Sequence, residues 1–428
     1  MKRLEKLAEA AASALLRCES VRVISHNDAD GIASAGLICS ALKRAGIPFH
    51  ATLVKRLDES VLDMVEPPVV FCDMGSGKPD LISGLDGDVF VFDHHRPVGE
   101  LDCIHVNPHL VGVDGAFELS ASGTVYSVVR QMGDNVDLAG LALVGALGDR
   151  QMMVGANRAV LEEAVDASVV ETRPGLKMED GPLDLVLEMS LDPLLDITGD
   201  LEKVREFLDE VGVHGDLPHL VGKDLSRIAT ALVLKILMQN SFAADSVVGE
   251  TLRLRKEVVE NAFEFMWILN SCGKTGETGL GLSLCMRDDG VLDEGKKLTA
   301  DYKRKILSEI VLFQEHLQET DHIRYAIMDD MESTGMMAGL GMRYLYTDLP
   351  IIILNRTEDM VKVSARGNRF LIHHGLDLSI ALKKAAESVG GGGGGHNVAS
   401  GAAVPLGREE EFIRCVDQIV AGQLKLRS

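Results

Sequence analysis

Eight acids and histidines in the first 150 residues have the types and spacing to do chemistry together. They are His26, Asp28 and Asp30 in Ser25-His26-Asn27-Asp28-Ala29-Asp30-Gly31, then Asp73, then the consecutive Asp93-His94-His95, then Asp149. Gathered in one place, these carboxylates would be very costly to bury unpaired. Two divalent cations would neutralise them. Mixed carboxylate and imidazole ligands suit Mn²⁺ first, with Mg²⁺, Fe²⁺, Co²⁺ or Zn²⁺ as alternatives. Two such ions about 3.5–4 Å apart lower the pKa of a shared water and brace both oxygens of an in-line displacement at phosphorus. Each residue also has a plainer reading. An Asp after a strand is ordinarily a turn former or a helix N-cap, and Asp73 alone reads that way, as do Asp80, Asp86 and Asp88. Adjacent His94-His95 behind Asp93 is harder to dismiss, and the four groups together favour metal.

A second chemical feature lies near the other end. Gly390 to Gly395 is a run of six glycines leading into His396, with Ala399, Ser400, Gly401, Ala402 and Ala403 beyond it. Alone it reads as a flexible linker. Its place between a helix and a histidine suggests a phosphate-binding loop, since glycines let backbone N–H groups approach an anion and a following helix N-terminus favours negative charge. Two decoys fail. Gly273-Lys274-Thr275 lacks the earlier glycine of a nucleotide-triphosphate loop, where Ile268 stands, and Gly279-Leu280-Gly281 lacks the third glycine of a dinucleotide fingerprint.

The elements that must position these residues are legible as runs of β-branched and aromatic residues: 21–25, 51–57, 69–72 and 89–92. Helical or turn-rich stretches separate them, with helices expected at 121–132 and 138–148. That alternation predicts an α/β fold with a mostly parallel sheet over residues 1–165. Three of the acid and histidine groups then fall at carboxyl ends of strands, where open α/β sheets bind ligands. Residues 166–320 have helical spacing at 201–211, 224–239, 255–270 and 300–319 and read as a mainly helical insertion, with Asn270 to Gly281 as a loop. From 321 to 428 the strand signal returns at 323–328, 350–354 and 361–365, with helices expected at 334–345 and 377–389, giving a smaller C-terminal α/β domain.

At this point the residues resemble a family, the DHH phosphoesterases with their C-terminal DHHA1 domain. His26-Asn27-Asp28-Ala29-Asp30-Gly31, Asp73 in Cys72-Asp73-Met74-Gly75, Asp93-His94-His95, and Asp149 in Gly148-Asp149-Arg150-Gln151 match the DHH motifs in order. Gly393-Gly394-Gly395-His396 matches the hallmark of the DHHA1 domain, and Val363-Ser364-Ala365-Arg366 looks like its substrate-facing strand. The resemblance implies that Asp73 bridges two metals, with His26, Asp28, Asp30, His94 and Asp149 completing the ligand set. It implies that Asp93 orients ligands, that His95 sits near the scissile phosphate, and that Arg366 and His396 hold the substrate phosphate from the other domain across a cleft. Length and insertion are similar to archaeal RecJ-like exonucleases of DNA repair and replication, including those that associate with the GINS complex of the replisome. No motif position is missing, which argues against a degenerate relative.

Composition bounds the partners. The 428 residues carry 43 basic and 65 acidic side chains, net −22, so overall attraction cannot hold nucleic acid. By region the net charge is −9 for 1–165, −12 for 166–320 and −1 for 321–428, with +3 over 355–384. Two divalent ions would move the first region to −5, so substrate grip must be local and metal-dependent. Seven scattered cysteines without a C-x-x-C pair fit a reducing cytoplasm. No apolar run approaches the roughly 20 residues of a membrane helix, so no membrane partner is expected. The first expectation is a metal-dependent exonuclease on single-stranded DNA or RNA. Its weakness is the low aromatic content, 4%, which leaves few platforms for base stacking. The second keeps the chemistry on small substrates: short oligonucleotides, cyclic dinucleotides or 3′-phosphoadenosine phosphate. The third is a replisome scaffold with vestigial catalysis.

Overall fold

A computed structural model describes residues 2–425. The chain forms two compact units, Met1–Pro174 with Glu250–Tyr302 and Gly175–Gly249 with Lys303–Ser428. Of the middle region, residues 250–302 pack with the N-terminal sheet.

The first unit is built on β1 (Val21–His26), β2 (Phe49–Val54), β3 (Val69–Cys72), β4 (Val89–Phe92) and β5 (Ile104–Val106). All pairs are parallel and the order is β2-β1-β3-β4-β5. Every residue of β3 and β4 is buried, as a parallel sheet covered on both faces requires. Val70, Cys72, Phe90 and Phe92 join a large core with the helices Ala29–Arg44, Ala121–Val129 and Ala139–Gly148. Their alternates Phe71 and Val91 point to the opposite face and pack with Ile24, Val61 and Ile82. Strand order reverses between β1 and β3, so the carboxyl ends of those two strands flank a topological switch point. His26 is the last residue of β1, Asp73 follows β3, and Asp93 follows β4. The expected α/β class with an N-terminal parallel sheet is therefore observed.

The stretch 270–281 is not the expected loop. The helix Ala262–Thr275 starts at Asn261, whose side chain accepts hydrogen bonds from the amides of Phe263 and Glu264, and ends at Gly276 with φ +86°. The helix Thr278–Cys285 comes next. Small and polar residues hide the helical signal, but Phe265, Ile268, Leu269 and Cys272 are buried at helical spacing and override local propensity. Gly273 has a specific reason: a Cβ there would lie 1.8 Å from the Asn27 carbonyl oxygen. Asn27 Nδ2 donates to the Gly273 carbonyl at 3.0 Å, tying this helix to the loop after β1.

A two-stranded ribbon, β6 (Val170–Leu176) with β7 (Val248–Leu254), precedes the second sheet. That sheet has the order β12-β13-β11-β10-β9-β8: β8 (Gln318–Glu319), β9 (Arg324–Asp329), β10 (Ile351–Arg356), β11 (Val361–Arg366), β12 (Gly392–Gly395) and β13 (Ala399–Val404). Only the β9–β10 pair is parallel. The glycine run corrects an expectation. Gly392–Gly395 is an edge strand, and His396 leads through a turn into β13 rather than into a helix N-terminus. A Cβ on Gly391 would stand 2.2 Å from the Ala403 carbonyl oxygen, and one on Gly393 3.0 Å from the Leu382 carbonyl oxygen in the helix Leu378–Ser388. Close backbone packing, not loop freedom, accounts for glycine at these two positions. Among the described residues no helix is long and apolar enough to cross a membrane.

Replacing Gly273 by Ala should destabilise the protein by about 1–3 kcal/mol through overpacking. Gly279→Ala, where the new Cβ meets open space, should leave thermal stability level or slightly raised. Thermal melts of the two variants test the contrast; an unchanged Tm for Gly273→Ala would contradict it.

Candidate metal centre

Three loops at the carboxyl edge of the first sheet and the end of one helix bring the acids and histidines together. His26 Nδ1 lies 2.9 Å from Asp28 Oδ2 and 3.2 Å from Asp73 Oδ2. His94 Nε2 lies 3.2 Å from Asp149 Oδ2 and 3.4 Å from Asp73 Oδ1. The potential ligand atoms form three overlapping groups, each within 4.8 Å: His26–Asp28–Asp73, Asp73–His94–His95 and Asp30–His94–Asp149. Asp73 and His94 each belong to two groups.

Local structure explains each placement. Asp28 is both a ligand candidate and the N-cap of the helix Ala29–Arg44, where Oδ1 accepts from the Gly31 amide at 3.0 Å. Asp30 is fully buried and accepts from the Ala121 and Ser122 amides at 2.7 and 2.9 Å, the first turn of the helix Ala121–Val129. A helix N-terminus favours that charge. Asp149 has the opposite setting, at the C-terminal end of the helix Ala139–Gly148, where the dipole repels a carboxylate. Asp73 has φ +58°, a left-handed conformation uncommon for a non-glycine residue. That backbone turns its carboxylate into the centre of the cluster. His94 Nδ1 pairs with the Gly115 carbonyl at 2.7 Å, which aims Nε2 at the carboxylates.

Asp93 plays another part. It is fully buried and accepts from the amides of Ser76, His94 and His95 at 2.9, 2.8 and 3.1 Å and from His95 Nδ1 at 2.8 Å. It belongs to none of the three groups. It holds the loop, and its hold on His95 Nδ1 leaves Nε2 of that half-exposed ring to face outward.

The electrostatics follow from burial and crowding. Burial alone would discharge His26, but the adjacent Asp28 and Asp73 raise its pKa to about 10. His94 is likewise opposed by burial yet raised to about 11 by Asp73, Asp30 and Asp149. Burial opposes ionisation of Asp28, but His26 outweighs it and brings that carboxyl down to about 2. Burial, then the charge of Asp73, lifts Asp30 to about 6, and burial with Asp30 and Asp73 lifts Asp149 well above the usual range. Without a cation, protons on imidazoles neutralise the carboxylates. In the cluster, buried Asp73 Oδ1 makes no well-formed hydrogen bond to the described residues, its nearest ring nitrogens being His94 Nε2 at 3.4 Å and His95 Nδ1 at 3.7 Å. A buried carboxylate oxygen without a donor is costly, and a divalent cation would satisfy it. The donors present, carboxylate oxygens and imidazole nitrogens, fit such an ion.

The other predicted residues lie in the second unit. Arg366 ends β11, with Nη1 donating to its own neighbour's carbonyl at Ala365, 2.9 Å, and among the described residues no carboxylate pairs with it. Burial lowers its pKa. Gly393, Gly394 and Gly395 lie in β12, and exposed His396 occupies the turn, its amide bonded to the Ala399 carbonyl at 2.8 Å. Register pairs Arg366 with Ala399, so Arg366 and that turn share one end of the sheet.

Several supporting residues escaped the sequence reading. Gln151 Nε2 donates to the same Gly115 carbonyl at 2.8 Å, and Asn157 Nδ2 donates to Gln151 Oε1 at 2.7 Å. Asn107 Nδ2 donates to Ser76 Oγ and to the His95 carbonyl, both at 2.9 Å. A Cβ on Gly115 would stand 2.0 Å from the His94 carbonyl oxygen. Position after Asp149 was the only available hint for Gln151; the others carry no motif signal.

Metal binding must displace the imidazole protons, so affinity for Mn²⁺ should rise with pH. The metal-free protein should behave oppositely. The folded state holds protons on His26 between pH 6.5 and about 10, and on Asp30 between 3.8 and about 6, that the unfolded chain has lost. The share of stability contributed by His26 and Asp30 is therefore greatest below each unfolded value and falls as pH rises through these windows, whereas that of Asp28, held down to about 2, is lost as pH falls below 3.8. Melts in EDTA and in saturating Mn²⁺ should show a metal-induced Tm gain that is larger at pH 8 than at pH 6; a gain that shrinks with pH would refute the assignment.

Residues 20–146 match the model of the DHH family N-terminal domain, and residues 325–422 match the DHHA1 domain. An uncharacterized protein of Methanocaldococcus jannaschii is 31% identical over 99% of both chains. Among solved structures, RecJ from Thermus thermophilus is similar with a TM-score of 0.62 at 17% identity, covering 98% of this chain and 55% of that one. The present chain thus spans about half the length of that RecJ, which has been crystallised with Mn²⁺ and with Mg²⁺. Cdc45 from Entamoeba histolytica is similar with a TM-score of 0.67 at 12% identity, covering 97% of this chain and 99% of that one. With both domains in order and a full-length relative, the chain belongs to the DHH/DHHA1 phosphoesterase family.

Proposed function

We propose that the protein is a metal-dependent phosphodiesterase that shortens single-stranded DNA or RNA as a RecJ-like exonuclease. What supports the reading is the buried Oδ1 of Asp73, which makes no hydrogen bond to the described residues and stands where two ligand groups meet. Asp73 would bridge two divalent ions, Mn²⁺ first and Mg²⁺ second, with His26, Asp28, Asp30, His94 and Asp149 as the remaining ligands. Ions held there would supply an acidified water and neutralise charge on the phosphoryl oxygens. Asp93 keeps His94 and His95 in place, and His95 Nε2 is free to meet the scissile phosphate. Arg366, which has no carboxylate partner, and His396, carried by the turn after Gly393, Gly394 and Gly395, are the proposed grip on the substrate phosphate.

A protein partner of GINS type is a second reading, favoured by one feature of the second unit. The last turns of the helix Gly222–Met238 and the residues after it expose Leu234, Leu237, Met238 and Phe242, a larger apolar display than a solvated helix needs.

Asp73→Ala should lower Mn²⁺-dependent hydrolysis by at least about 100-fold, since loss of mere ligand-supporting residues already costs 10–100-fold. Asp93→Asn should fall within that smaller range. Both are measured on 5′- and 3′-labelled single strands of about 20 nucleotides, the labels also revealing polarity. A strong preference of the wild type for a dinucleotide over the longer strand would replace the exonuclease with the small-substrate reading, and full activity in Asp73→Ala would remove the site.

A further inference from the structure

The segment after β11 carries two exposed rings that are fixed against each other. Asn368 pins it. Its Oδ1 accepts from the Leu371 amide at 2.9 Å, capping the five-residue helix Arg369–His373, and its Nδ2 donates to the Thr347 carbonyl at 2.7 Å. Within that turn of helix Leu371 is buried, whereas Phe370 is 61% exposed. The exposed His374 ring lies 4.2 Å from the Phe370 ring, centroid to centroid, tilted by 40°. Its Nδ1 donates to the Phe370 carbonyl at 2.8 Å, and the His373 ring meets it edge-on at 5.9 Å. A single exposed phenylalanine is ordinary on a protein surface. Here the ring is backed by a second ring that is itself hydrogen-bonded in place, so less conformational freedom is lost when a further flat group stacks on it.

The neighbours of this pair select its occupant. Four residues before Phe370, at most about 14 Å of chain, stands Arg366, a proposed grip on the substrate phosphate. The Gly367 amide donates to the Val398 carbonyl at 2.9 Å, so the segment leaves the sheet beside the turn that carries His396. Residues 355–384 are net +3 in a chain of net −22. A flat apolar face beside a phosphate grip, in a locally basic stretch, is the combination that binds single-stranded nucleic acid. We infer that Phe370, backed by His374, is a stacking platform for a base adjoining the phosphate that Arg366 and His396 hold. The inference deepens the exonuclease reading and rests on it for the phosphate grip. Stacking tolerates any base, so the platform favours a nucleic-acid strand over other polyanions without reading its sequence.

The test is calorimetry of the full chain with hexathymidylate and with an abasic strand of equal phosphate number, in EDTA so that neither is cut. The wild type should prefer hexathymidylate by about tenfold or more, the size expected for stacking of one base. Phe370→Ala should bring the two affinities together, and His374→Ala should reduce the difference. Phe370→Trp should retain it, and hexathymidylate should quench its fluorescence more than that of the wild type, whose one tryptophan is Trp267. Equal affinities in the wild type, or an undiminished preference in Phe370→Ala, would overturn the inference. Binding of neither strand would overturn it together with the exonuclease reading. A preference that tracks Phe370 in a protein that cleaves no single strand with Mn²⁺ would refute the exonuclease and leave the platform standing.

Discussion

Four carboxylates, Asp28, Asp30, Asp73 and Asp149, converge with His26 and His94 at the edge of one sheet, and the cost of that negative charge governs the surrounding structure. The protein meets part of the cost itself. A helix N-terminus receives Asp30, a helix amide receives Asp28, and imidazole protons offset the remainder. The imidazoles serve several carboxylates at once, and Asp149 still lies at the wrong end of a helix dipole while Asp73 Oδ1 makes no hydrogen bond to the described residues. These donors could hold a cation.

That constraint extends outward through backbone contacts. Gly145 lies where a Cβ would meet Asp30 Oδ1 at 2.4 Å and Ser122 Oγ at 2.1 Å, so the helix Ala139–Gly148 can approach the buried acid only with glycine there. Gly273 does the same for the loop after β1, and Gly115 for the loop after β4. The switch point of the sheet supplies the crevice, and these close approaches set the depth at which the acids sit.

The acidic composition changes meaning in this light. Five of the acids in residues 1–165 belong to or support the centre: Asp28, Asp30, Asp73, Asp93 and Asp149. Their charge is of the kind that could hold a divalent cation, so it does not by itself speak against the phosphodiester substrate proposed above. The largest deficit, −12 over 166–320, lies in a stretch without a motif, part of which displays apolar side chains.

Much of this was legible in the residues. β1, β3 and β4 announce themselves as short β-branched and aromatic runs, because strands buried on both faces have no room for polar alternation. The acids that follow them are visible because a motif is a local pattern. Other parts were not legible for the same reason. Residues 270–281 look like a loop by composition, yet burial of Ile268, Leu269 and Cys272 makes most of them helix. The glycine run looks like a linker or anion loop, yet Gly392–Gly395 pairs with β13 as an edge strand, and close backbone approach excludes a side chain at Gly391 and Gly393 but not at Gly392 or Gly394. Fold class, family and ligand candidates can be read from the residues alone. Tertiary contacts alone reveal which amides Asp93 accepts from, that Gly115 and Gln151 orient His94, and that Asp73 Oδ1 makes no hydrogen bond to the described residues. Those facts depend on which distant backbone groups arrive within hydrogen-bond distance, and no local pattern encodes that.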